Sequence, residues 1–153
     1  MKKTIKIFIS ILLLTFILSP KATFALEEQC LDTGCYYETV INYSNQTTAQ
    51  TRSSLDTVSG TKTTTYRSSS GEALWSISVT GTFSFVGTSV TCSSSKLNIT
   101  IYDSAWKTYS TNTSKSGNCA KATATIKEYF LGFETDSITK SISLYCSIDG
   151  NLY

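Results

Sequence analysis

Five cysteines and no histidine set the chemistry open to this 153-residue chain. Without an imidazole there is no Ser-His-Asp or Cys-His arrangement, and the zinc motifs built on histidine are excluded as well. Cys30, Cys35, Cys92, Cys119 and Cys146 include no Cys-x-x-Cys spacing, which argues against a cysteine-only metal site. A cysteine nucleophile would need a base other than histidine. The sequence also lacks GxSxG, a P-loop and GxGxxG. Glu134 and Asp136 have the residue types of a glycosidase carboxylate pair. Two apart, with no sign of a cleft around them, they read instead as a solvated turn. Asp149-Gly150-Asn151 is turn chemistry. Asn42, Asn45, Asn98 and Asn112 each begin an Asn-x-Ser/Thr triplet, as chance dictates in so hydroxyl-rich a chain, and are assigned no role. No catalytic, cofactor-binding or metal-binding residue is expected.

The use left to the cysteines depends on the compartment. Lys2, Lys3 and Lys6 precede an uncharged apolar run, Ile7 to Leu18, followed by Ser19-Pro20 and Thr23-Phe24-Ala25. A basic start, a short apolar stretch and small residues before the cut define a secretory signal peptide, with cleavage expected after Ala25. The run is well short of the roughly 20 residues a spanning helix needs, and no second apolar run follows, so no stable membrane span is expected after cleavage. The expected location is extracellular, and the signal has a bacterial look. Residues 26–153 then carry nine basic and eleven acidic side chains, a net charge of −2 without a Lys/Arg cluster, which argues against nucleic acid as partner. In an exported chain the cysteines read first as disulfide partners. Five is odd, so one stays free or bridges elsewhere.

Elements that would position these residues follow from periodicity. In "LWSISVTGTFSFVG" (74–87), Trp75, Ile77, Val79, Phe83 and Phe85 share one parity, and Ser76, Ser78, Thr80, Thr82 and Ser84 the other. Strand side chains alternate between faces, so this is a strand with one dry and one wet side. Val90 and Cys92 resume the pattern after a turn, completing a hairpin. Leu97, Ile99 and Ile101 alternate next, then Trp106 to Thr111, then Ala120, Ala122, Ala124 and Ile126. Ile138, Ile142, Leu144 and Cys146 follow, with Lys140 breaking the apolar face as a bulge or an edge charge would. Tyr36–Tyr43 and Lys62–Arg67 are weaker strands. Forty-four of residues 26–153 are Ser or Thr, and the only proline, Pro20, lies in the signal. The chain therefore predicts an all-β fold, an antiparallel β-sandwich (immunoglobulin-like or related) of about seven to eight strands. The expected organisation is a signal at 1–25, an N-terminal segment at 26–60 with one weak strand and a polar loop or mobile linker over 44–60, and the sandwich domain at 61–153.

Cys92 and Cys146 both fall on the apolar parity and are the expected inter-sheet disulfide. Cys30 and Cys35 are spaced to close a small loop, which would leave Cys119 unpaired; this is one of several connectivities the five allow. Cys92, Trp106 and Cys146 loosely resemble the Cys…Trp…Cys order of immunoglobulin domains, which supports a sandwich without making the chain a member. Residues 73–153, with "EALWSISVTGTFSF", "SAWKTYS" and "KSGNCAKATATIKEY", resemble small exported proteins of Gram-positive bacteria that carry no assigned function. That resemblance implies export and brings no activity or site residue with it.

One stretch departs from normal loop chemistry. Tyr129, Phe130, Leu131 and Phe133 surround Gly132 between two strands, where polar residues are usual. They are a candidate interaction loop; the plainer expectation is that they fold over the end of the sandwich and close its core. Taken together, the sequence predicts an exported, disulfide-stabilised, non-catalytic binding or surface-interaction module with a protein or glycan ligand. The alternative is a membrane-active protein, pore-forming or bacteriocin-like, using 74–92 as a transmembrane hairpin.

Overall fold

A computed structural model describes residues 26–29, 34–45 and 57–153. It is all-β: β1 (Leu26–Gln29), β2 (Tyr36–Asn45), β3 (Thr57–Arg67), β4 (Ala73–Val86), β5 (Ser89–Ile101), β6 (Trp106–Ser116), β7 (Cys119–Phe130) and β8 (Phe133–Tyr145). Residues 1–25, where a signal peptide is expected, Cys30 and residues 46–56 of the expected polar loop lie outside the described residues. The strands form two antiparallel sheets, one ordered β1-β2-β3-β4-β5 and the other β6-β7-β8. Each sheet is a meander, without the crossed connection of an immunoglobulin domain.

The core is built from the dry parities. Trp75, Ile77, Val79 and Phe83 of β4 are fully buried and face Ala120, Ala122, Ala124 and Ile126 of β7, with Ile142, Leu144 and Cys146 beside them. β5 is one strand, although its apolar positions change parity partway. A bulge between its pairing of Phe83 with Cys92 and of Thr82 with Ser94 absorbs the change, so Val90 and Cys92 on one side, and Leu97, Ile99 and Ile101 on the other, all pack against the same core.

An aromatic cluster of Tyr37, Tyr66, Trp75 and Trp106 joins the two sheets at one end, with ring centroids 5.0 to 6.3 Å apart. Lys140 faces inward here from β8, an edge strand, and sets its ammonium 3.8 Å from the centre of the Tyr37 ring. The charge that interrupts the apolar parity of β8 thus has a cation–π partner.

At the other end the chain folds back after β8. Tyr145 and Tyr153 exchange backbone hydrogen bonds of 3.0 and 3.1 Å and stack their rings, and Cys146 pairs with Leu152. Leu152 seats over Gly60, where a Cβ would lie 2.2 Å from its Cδ1. The Tyr43 hydroxyl accepts from the Leu152 N–H at 2.9 Å.

The wet faces hold rows of paired hydroxyls. Ser59 with Thr82, Thr61 with Thr80 and Thr63 with Ser78 lie 2.8 to 3.0 Å apart between β3 and β4. Thr123 with Ser141 and Thr125 with Thr139 repeat the device between β7 and β8 at 2.7 and 2.8 Å.

Candidate functional site

The cysteines come first. Cys92 and Cys146 are buried as the parity predicts, but the expected disulfide between them is not formed; both are free thiols. The reason is local geometry. The β6–β7 turn stands beside both backbones: the Cys92 N–H donates to the Gly117 carbonyl at 2.7 Å, and the Cys146 N–H to the Asn118 carbonyl at 3.1 Å. Each thiol is engaged within its own segment, Cys92 Sγ with the Ser94 carbonyl at 3.2 Å and Cys146 Sγ with the Ser147 carbonyl at 3.4 Å. Burial pushes the Cys92 thiol up and the Cys146 thiol up to about 11. Thiols held protonated this way are poor nucleophiles. Cys119, half-buried, is also free. Cys35 is a free thiol packed at the edge of the core, and its expected partner Cys30 lies outside the described residues.

The carboxylate pair is not a loop pair at all. Glu134 and Asp136 lie in β8 on either side of a bulge at Thr135. Glu134 binds Lys127 Nζ at 2.8 Å, and this hydrogen bond raises the Lys127 pKa. Asp136 Oδ1 accepts the Ser137 N–H. An open cleft lined by Arg67, Glu72, Leu74, Tyr102 and Asp103 lies elsewhere. Its polar groups serve the fold: Arg67 is bound to Glu38 Oε2 at 2.7 Å and to the Gly71 carbonyl, and Asp103 Oδ1 caps the Ala105 N–H.

The β7–β8 hairpin differs. Phe130 pairs with Phe133 and closes a two-residue turn, Leu131-Gly132, whose φ angles of 49° and 85° are both left-handed. Such a type I′ turn matches the twist of a hairpin and favours Asn, Asp or Gly at both positions. Leu131 is the one non-glycine residue with positive φ among the described residues; a side chain there costs about 1–2 kcal/mol. The β4–β5 and β6–β7 turns use Gly87 and Gly117 instead.

The expectation that this stretch closes the core is not met. Phe130 is 68 %, Leu131 83 % and Phe133 77 % exposed. The physical reason is a polar level between tip and core. Glu128 continues the inward parity after Ala124 and Ile126, opposite Asp136, and accepts the Thr135 hydroxyl at 3.0 Å. Tyr129, half-buried, is pinned just below the tip by its N–H to the Ala105 carbonyl at 2.8 Å. Lys107 lies 5.2 Å from the Tyr129 ring centre and Lys127 3.9 Å from that of Tyr109. Sequence reading missed Lys107, Tyr109 and the separating acids; Glu128 on an apolar parity was the available signal.

Comparison with family models, with characterised proteins and with solved structures finds no match to this chain.

Proposed function

We propose that this chain is an exported, non-catalytic binding module that meets its target through the tip of the β7–β8 hairpin. The observation that carries this reading is the exposure of Phe130, Leu131 and Phe133 together on a turn whose backbone disfavours Leu131. Burying such side chains is worth about 1.5–3 kcal/mol each, and here the fold takes little of that gain. Backbone strain retained without a packing return points to use at the strained place. The signal-like segment at 1–25 supports export. The protonated, buried Cys92 and Cys146 support a non-catalytic role. Trp75, Ile77, Val79, Phe83 and Cys92 of the 74–92 hairpin are packed in the core, which favours the binding reading over the pore hairpin.

Binding of labelled protein to intact bacterial cells, protoplasts and isolated cell walls tests the reading, alongside glycan and peptide arrays. The F130S/F133S variant should unfold at the wild-type temperature and lose the binding. Equal binding by the two proteins would show that the target contacts another surface.

A further inference from the structure

Resting on that reading, we propose that the target of the tip is the surface of a zwitterionic phospholipid bilayer. Phe130, Leu131 and Phe133 enter below the headgroups, and Tyr129 with Lys107 sits at headgroup level. Three observations carry it.

The first is depth. Only two levels of the hairpin are apolar, the turn and the Phe130–Phe133 pair; the next holds Tyr129 opposite Glu134. At about 3.3 Å per residue the apolar part is roughly 7 Å tall. That matches the roughly 5–10 Å to which interfacial anchors sink, and is far below the roughly 30 Å hydrocarbon thickness. The shape is that of a surface anchor, not a pore segment.

The second is the ring of residues beneath. Lys107 sets its ammonium beside the Tyr129 ring, which lies one level below the Phe130–Phe133 pair, and the Lys127–Tyr109 pair follows further down the hairpin, near the level of Ile126. Tyrosine is enriched at this boundary because one end of the ring is apolar and the other wet.

The third is charge. Lys107 and Lys127 alternate with Glu128, Glu134 and Asp136, leaving a net charge of one negative around the tip. A polybasic lipid anchor would be strongly positive. Interleaved ammonium and carboxylate groups instead complement a headgroup layer that itself carries both signs. Leu131 fits the same picture, since an apex residue in a bilayer-directed hairpin is the first to reach hydrocarbon.

Co-sedimentation with sucrose-loaded phosphatidylcholine vesicles tests the proposal. The wild-type chain should pellet with the vesicles, with little change between about 0.05 and 0.5 M salt. F130S/F133S should bind roughly a hundredfold less, and L131N roughly tenfold less, since each lost apolar side chain is worth about a factor of ten. L131N should also melt higher than wild type, because Asn suits the left-handed position; weaker binding by a more stable protein excludes misfolding as the cause. The proposal is overturned by no wild-type pelleting, by pelleting unchanged in F130S/F133S, or by binding confined to phosphatidylserine vesicles and lost in salt. It is also overturned if ultracentrifugation finds self-association that F130S/F133S abolishes while vesicles are ignored, which would make the occupant a second copy. Tip-dependent binding to cell walls without vesicle binding would remove the bilayer and leave the binding module standing.

Discussion

Replacing Gly60 by alanine tests how the C-terminal turn closes the sandwich. The new methyl would lie 2.2 Å from Leu152 Cδ1 and 2.9 Å from the Asn42 carbonyl oxygen. Leu152, only 7 % exposed, must leave its seat. Losing its burial costs about 1.5–3 kcal/mol, and the carbonyl contact adds a backbone shift, so the expected loss for G60A is about 3 kcal/mol. L152A alone should cost about 2 kcal/mol, the low end for a buried leucine, since a chain end relaxes into the gap. In the double variant G60A/L152A the methyl added at position 60 occupies the space that the leucine side chain vacates. Only the Asn42 contact then remains, and the combined loss should be about 3 kcal/mol, against about 5 if the two effects added. The resulting coupling of about 2 kcal/mol is well outside the scatter of independent sites. Urea denaturation of the four proteins measures it. Additive losses, or a G60A protein as stable as wild type, would refute the seating of Leu152 on β3.

The dry face of β4 makes a sharper demand on packing. F83A should cost about 3–5 kcal/mol in urea denaturation, as for any large core truncation, while T80A on the wet face should stay within about 0.5 kcal/mol. Lys62 points inward from β3, and burial lowers its pKa; no carboxylate among the described residues pairs with it. K62M should therefore raise the thermal midpoint, and a lower midpoint would reveal a partner the charge needs. For Cys146, burial raises the thiol from 9.0 to about 11. The folded state holds this proton more tightly than the unfolded chain, so the stabilisation is intact below pH 9 and is lost as pH rises toward 11. Unfolding curves across that window, wild type against C146A, should converge, and iodoacetamide at pH 8 should label Cys146 only after denaturation.

Where a side chain's face is set by alternation alone, the sequence was enough. Trp75, Val79 and Phe83 are buried, and Ser78, Thr80 and Ser84 lie on the other side, half-covered by their hydroxyl pairs and cross-strand neighbours, whereas Ser76 on that same parity is buried beside the Tyr102 hydroxyl. Alternation failed at Ser93, where a bulge lets one strand change parity, so that β5 reads as two short strands. Parity also fixes a face without fixing a distance. It placed Cys92 and Cys146 in the core, but the intervening turn carbonyls and the local bonds of each thiol depend on tertiary packing. The hairpin tip was legible as an anomaly, though not as exposed, because how far the opposite sheet extends is not a local property. Lys140 was legible as a break, while its partner Tyr37 lies far back along the chain, in the other sheet.

The paired hydroxyls of the wet faces have a consequence for where this protein can work. Ser59, Thr61, Thr63, Thr123 and Thr125 each bond a hydroxyl of the neighbouring strand, and neither partner ionises in water's range. With no histidine in the chain, no side chain with an ordinary pKa changes charge between roughly pH 5 and 8. The hydroxyl rows carry no charge to gain or lose over that interval. The apex residues Phe130, Leu131 and Phe133 carry no titrating group either, so the contact proposed for them would be made alike in a souring medium and a neutral one.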